Sequence, residues 1–240
     1  MDVSLEDSSQ LTYARFVAQG HGVPYGELAA GTRPMPEISE LDREVLGRIV
    51  DGSRVAPDIK TIIKTAKAEQ VAAVFIDYVQ LIEGCSGDHA TLAEAMRLMQ
   101  LAAKDDGIGY VVVSQVKQDV NYRANTRDGQ GRLVGDPRPT INDTLGSSSI
   151  RTHSKLGLAI FYPWKYCKAP TSSTGPYRAY TNWVNNYPAG VEAAMNLYQS
   201  VIEIIVDKNV LGPSKVAVHA TVDWPTGLVT PIDLGFNPLP

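Results

Sequence analysis

A chain of 240 residues is long enough to bury a full core, as one large domain or one domain with elaborations. Hydrophobic residues at 44% and charged residues at 20% are ordinary for a globular protein, and a net charge of −4 offers no global attraction to nucleic acid, so any such contact needs a local basic patch. Cys85 and Cys167 show no metal-ligand spacing and suit a reducing compartment; no apolar run reaches the ~20 residues of a membrane helix, so a cytoplasmic protein without a membrane partner is expected.

The acidic opening Met-Asp-Val-Ser-Leu-Glu-Asp lacks the form of a signal peptide. Val3-Ser4-Leu5 reads instead as the end of a strand whose beginning is missing, so an N-terminally truncated domain is expected. Ser8 and Ser9 can cap a helix with Leu11, Phe16 and Val17 at helical spacing, ending near Gly20 and Gly22. A short helix is expected over 25–30. A longer one is expected over 37–50, with Ile38, Leu41, Val45, Leu46 and Ile49 in one apolar stripe. Pro57 opens another, to about Glu69.

Residues 71–76, Val-Ala-Ala-Val-Phe-Ile, are uniformly apolar and too few for a free-standing helix, which predicts a parallel strand buried on both faces. Asp77 stands where that strand runs out. After a loop over 84–88, residues 91–104 form an amphipathic pattern with Leu92, Ala95, Met96, Met99 and Ala103 inward. Residues 110–115 then read as a second buried strand ending in Ser114-Gln115. Strand, helix and strand make a right-handed βαβ unit, so Asp77 and Gln115 should emerge on one sheet edge. Ligands of open α/β sheets sit beyond the carboxyl ends of the strands, where an acid can hold Mg²⁺ or its water shell against a phosphate. The alternative role for Asp77 is to cap the turn.

From 117 to 138 the chain turns polar, with Lys117, Arg123, Arg127, Arg132 and Arg138 around Tyr122. A stretch of this length is usually functional or disordered, and its cations suit a groove along a phosphate backbone, although solvated loops look similar. Residues 156–161 predict a third strand and 201–206 a fourth. The Tyr-, Trp- and Pro-rich stretch from 163 is expected to be a surface excursion, extending to 200 with a helix over its last eleven residues. Asp223-Trp-Pro-Thr-Gly227 between two β-rich runs signals a terminal hairpin.

Five of these segments, in order, resemble the RecA-like ATPase domain of DnaB-type replicative helicases. Ser4-Leu5-Glu6 with Arg15 resembles the family's Ser-Leu-Glu motif and its later arginine. Ile76-Asp77-Tyr78-Val79-Gln80-Leu81 resembles the Walker B segment. Ser114-Gln115 resembles the sensor strand. Asp143 through Ser147, Ser149 and Ile150 resemble a channel-loop motif, and 202–208 with Gly212-Pro213 resemble the motif near the domain's end.

The resemblance implies a RecA-like three-layer α/β fold with a mostly parallel sheet and a C-terminal hairpin. It also implies ATP and Mg²⁺ as cofactors. Glu6 would polarise the attacking water, Asp77 bind the metal shell, Gln115 sense the γ-phosphate, and Arg15 belong to the nucleotide site. Lys208 would reach a neighbouring subunit's nucleotide in a hexameric ring. Lys117, Arg123, Arg127, Arg132 and Arg151 would contact single-stranded DNA. A primase or loader is the further partner implied, and a phage-type helicase the expected source.

Departures accompany the resemblance. No Gly-x-x-x-x-Gly-Lys-Ser/Thr occurs in the sequence, so the phosphate nest is missing from these residues. Val210 takes the arginine-finger position, Leu145 replaces the channel-loop arginine, and the stretch between Ile49 and Ile59 looks short of a strand. The expectation is therefore a helicase motor domain that hydrolyses no ATP alone. Rival readings are a RadA- or RecA-like recombination ATPase and a non-catalytic DNA-binding or assembly subunit with a degenerate ATPase fold.

Overall fold

The computed structural model describes residues 1–37, 39, 49–52, 57–124, 126–130, 135–168, 170, 176–237 and 239, without the side chains of Ala124 and Ser147. The chain divides into two compact units. The first comprises Met1–Gln115, Thr144–Ser154 and Pro225–Gly227; the second comprises Val116–Asp143, Lys155–Trp224 and Leu228–Pro240.

The first unit is built on a parallel sheet in the order β2-β1-β3-β4. Its strands are β1 (Asp2–Ser4), β2 (Ile49–Asp51), β3 (Ala73–Asp77) and β4 (Gly109–Val112). Helix α1 (Ser9–His21) starts where the Ser8 hydroxyl accepts the Leu11 N–H and stops at Gly22, whose φ of 63° is open to glycine at little cost. It buries Tyr13, Ala14, Val17 and Ala18 against Leu28 of α2 (Tyr25–Ala29). Phe16, expected inward, is 43% exposed, because the buried stripe runs through Tyr13, Ala14, Val17 and Ala18 and leaves Arg15 and Phe16 on the outer face.

Of the helix expected over 37–50, residues 38 and 40–48 lie outside the described residues, and its end is strand β2. The β-branched pair Ile49-Val50 joins the open edge of β1, so a strand does occupy the stretch where the resemblance implies one missing. Asp58 caps α3 (Ile59–Ala68) through the N–H groups of Lys60 and Thr61, and Asp88 caps α4 (His89–Asp106) through that of Ala90. The inward residues of α4 are Leu92, Ala95, Met96, Met99 and Ala102, the last in place of the expected Ala103. A short α6 (Ser147–His153) packs on α4, where the His153 Nδ1 lies 2.9 Å from the Gln100 Oε1.

Burial of β3 on both faces is not observed. Val74 and Ile76 are fully inside, but Phe75 is 51% exposed, as are Val111 at 50% and Val113 at 51% beside it. The pleat sends alternate side chains to opposite faces, and among the described residues only one of those faces is packed within this unit.

The second unit holds an antiparallel sheet, β5-β6-β7-β8. Its strands are β5 (Leu156–Phe161), β6 (Val201–Asn209), β7 (Val216–Asp223) and β8 (Leu228–Ile232), with β7 and β8 forming the expected terminal hairpin. Ahead of the sheet come α5 (Asp119–Ala124) and a turn of 3₁₀ helix at Ile141–Asp143. Between β5 and β6 lie α7 (Pro163–Tyr166), α8 (Arg178–Asn185) and α9 (Val191–Tyr198).

These three helices are not a surface excursion. Tyr177, Tyr180 and Tyr198 are almost wholly buried with Phe161, Val201, Ile205 and Leu234, and so form the unit's core. Their hydroxyl groups made the stretch read as polar, while the rings supply most of the apolar area.

At the centre of that core Glu203 is fully buried. It accepts bonds of 2.6 and 2.9 Å from the Arg138 guanidinium and 2.7 Å from the Tyr180 hydroxyl. Burial alone would lower Arg138, yet its paired bonds to Glu203 hold it above the usual arginine range. Tyr180 is raised, first by burial and then by the charge of Glu203. No described helix is long and apolar enough to cross a membrane.

Candidate functional site

The register of the parallel sheet decides where the sequence-distant candidates fall. Ser4 is opposite both Asp51 and Asp77, and Ile76 is opposite Val112. The ladder continues past the strand ends. Leu5 N–H donates to the Asp77 carbonyl at 3.0 Å, and Val79 N–H to that of Val113 at 2.9 Å. Glu6, Asp77 and Gln115 therefore leave the sheet from one carboxyl edge, and all three are exposed.

The backbone after β1 is held by its own hydroxyls. The Ser4 hydroxyl donates to the Asp7 carbonyl at 2.8 Å and accepts from Thr12 at 2.9 Å. The Asp51 carboxylate takes the Ser9 N–H at 3.0 Å, joining the end of β2 to the start of α1. Arg15 forms an ion pair with Asp7 and lies 5.4 Å from the Tyr25 ring centroid. Asp2, at the other end of β1, is raised by burial and then by the negative charge of Asp77.

Gln80 is the residue that the sequence reading passed over. It is buried, and its amide nitrogen donates to the Ser114 hydroxyl at 2.7 Å and to the Leu145 carbonyl at 2.9 Å. Its amide oxygen accepts the Gln115 N–H at 3.4 Å, while the Leu145 N–H donates to the Gln115 carbonyl at 3.0 Å. The segment after β3, the segment after β4 and the start of 144–154 are thus tied through one side chain. A glutamine in a Walker B-like segment was in plain view; its partners, 34 and 65 residues away, were not.

The fit to a divalent cation can be judged from the donors. Among the described residues no group of three or more His, Cys, Asp or Glu side chains could enclose a metal. An exposed carboxylate at a strand end fits Mg²⁺ nevertheless, because that ion keeps several waters and is commonly held by one or two carboxylates plus phosphate oxygens. The residues present do not fit the triphosphate itself, since no glycine-rich nest with its lysine occurs among them.

The remaining candidates separate. Arg151 is on α6 of the first unit and exposed. Lys208 belongs to the second unit, on β6 opposite Gly157, and is half-buried; Val210 follows at 55% exposure. Lys117 is half-buried, with its ammonium 3.5 Å from the Asn142 carbonyl. Arg127 is exposed, and Arg132 lies outside the described residues.

Arg123 departs from the expectation of a cation held out to phosphate. It donates to Asp143 at 2.7 Å, and the same carboxylate oxygen accepts the Thr140 N–H and hydroxyl. Burial opposes the Asp143 charge, but Thr140 and the Arg123 guanidinium hold its carboxyl below the usual range. The end of the polar stretch is fastened further where Asp207 accepts the Ile141 N–H at 2.7 Å and pairs with Lys215.

A parallel α/β sheet with candidate acids gathered at its carboxyl edge matches the arrangement expected of a RecA-like fold. A solved ATPase domain superposes with a TM-score of 0.66 at 16% identity, over 97% of this chain and 74% of that one. No family model matches the sequence. Among curated proteins, the replicative DNA helicase DnaB of Rickettsia bellii (strain RML369-C) is 24% identical over 224 residues, which is 88% of this chain and 41% of that protein. A probable replicative DNA helicase of Guillardia theta is 28% identical over 136 residues, 52% of this chain and 23% of that protein. These relations bear out the resemblance to the DnaB-type replicative helicases, and the superposition bears out the RecA-like fold that it implies. It spans less than half the length of either curated relative.

Proposed function

We propose that the chain serves in an ATP-dependent replicative helicase that couples hydrolysis to movement along single-stranded DNA and to duplex unwinding. The observation that carries this reading is the strand register, which sends Glu6, Asp77 and Gln115 out of one sheet edge. Mg²⁺, when bound, neutralises charge developing on the phosphate oxygens. Asp77 would hold that ion through its water shell. Glu6, an exposed carboxylate one residue past the Leu5 bond to Asp77, would orient a water and take its proton. Gln115 would stand at the phosphate end, and its backbone bonds to Leu145 and Gln80 tie it to residues 144–154.

Arg15 holds the loop after β1 through Asp7. Lys208 acts across a subunit boundary in a head-to-tail hexameric ring, and Lys117, Arg127, Arg132 and Arg151 meet the DNA backbone, while Arg123 holds the end of the polar stretch through Asp143. A primase or a loader engages the whole assembly.

These 240 residues alone neither bind ATP tightly nor unwind DNA, because their side chains meet metal and water but do not cradle phosphate. Equilibrium titration with a fluorescent ATP analogue tests this: no micromolar binding is expected, and micromolar binding refutes it. Adding a partner that carries a phosphate-binding loop is expected to restore DNA-stimulated hydrolysis, and Glu6→Gln to abolish it. Failure to restore any hydrolysis favours the non-catalytic assembly subunit, the reading to which Val210 also points.

A further inference from the structure

The second unit contains a cleft of about 260 Å³ that the proposed ATPase chemistry does not use. Its walls come from the segment after β4, from β5 and from α7. Two lysines, Lys117 and Lys165, line it, and among the described residues no carboxylate does. Apolar surface is supplied by Val116 and by Ile160, which is 68% exposed.

An aromatic platform completes it. Tyr166 stacks on Phe161 with centroids 5.5 Å apart and planes 17° from parallel, and its hydroxyl donates to Asn121 at 3.0 Å, which fixes the ring. The Lys165 ammonium lies over the Tyr166 ring, 5.5 Å from its centroid, so a base that stacks there displaces this exposed side chain towards the phosphate. Ligand pockets for drug-sized molecules run from ~300 Å³ upward, so this cleft suits one base with its sugar and not a longer stretch of strand.

We infer that this cleft seats a single nucleotide, its base against Tyr166 and Ile160 and its phosphate between Lys117 and Lys165. The chemistry required is an aromatic base joined to a phosphate; apolar walls alone would not select the anion, and lysines alone would not select the base. The inference rests on the reading of Lys117 as a DNA contact in so far as the nucleotide belongs to a strand. A free nucleotide offers the same two groups.

The test uses the 240-residue chain with three probes: an oligothymidylate of about eight residues, ATP, and heparin as a polyanion without bases. Lys165→Ala changes an exposed side chain and Tyr166→Ala removes the platform, with circular dichroism confirming that each variant is folded. Base stacking by one aromatic side chain is worth a loss of about fivefold or more in affinity. Oligothymidylate binding is expected to fall by at least that factor in both variants, with heparin binding changed less than about twofold by Tyr166→Ala.

If ATP binding falls in the variants while oligothymidylate binding does not, the cleft stands as a site for a free nucleotide and the DNA contact of Lys117 fails. Should oligothymidylate bind and both variants bind it like the parent, the cleft is overturned and the DNA reading survives. Equal losses for heparin and oligothymidylate in Tyr166→Ala overturn it too, as does the absence of binding by every probe.

Discussion

The two sheets solve the burial of charge in opposite ways. In the parallel unit the acids Glu6 and Asp77 stand in solvent just beyond the strands, and the packed face is aliphatic. In the antiparallel unit an acid lies at mid-strand, fully buried, matched by Arg138 and by Tyr180. The difference separates two uses of a carboxylate. One at a strand end can meet a metal or a water, while one surrounded by its own cation and hydroxyl is committed to holding the fold.

That contrast is broken most strongly at Arg138. Arg138→Leu leaves Glu203 buried without its cation and is expected to cost about 3–5 kcal/mol, read by urea denaturation with hydrogen exchange following the antiparallel strands. Arg138→Leu with Glu203→Leu should recover most of the loss, because the stranded charge goes too. Recovery of none would mean that the pair does more than balance charge.

Gln80→Ala comes next. It strands the Leu145 carbonyl and the Gln115 N–H, and about 1–3 kcal/mol is expected, with faster exchange at Gln115 and Leu145. In the complemented assembly the same variant should lower the DNA stimulation of hydrolysis more than the basal rate.

A graded effect of pH is expected at His219. Burial, with Arg138 nearby, pushes this imidazole down to about 4 from an ordinary 6.5. Its unfolded form takes up a proton that the folded form refuses, so stability is full above pH 6.5 and falls as the pH drops towards about 4. His219→Gln should flatten that part of the profile of urea midpoints. The smallest change is Ser8→Ala, which removes the cap of α1 and is expected to cost about 1 kcal/mol.

The same comparison separates what could be read from the residues. The carboxyl-edge candidates were legible because each sits in a short local motif, and strand, helix and strand from Ala73 to Val112 dictate that Asp77 and Gln115 share an edge. The terminal hairpin was legible from its turn residues. The Arg138–Glu203 pair spans 65 positions and follows no period, so nothing local announces it. Tyr177, Tyr180 and Tyr198 read as surface residues because hydroxyls mask how much ring area they bury. Phe75, Val111 and Val113 misled in the other direction: an unbroken apolar run implies two packed faces, and their unit packs one.

The central claim is that Glu6, Asp77 and Gln115 serve one metal-bound phosphate. Paramagnetic broadening by Mn²⁺ with ADP at millimolar concentration reports even weak occupancy, residue by residue. The amide signals of Glu6, Asp77, Ser114 and Gln115 should broaden together, and Asp77→Asn should remove the effect from all four. Broadening confined to other residues, or surviving Asp77→Asn, would contradict the account.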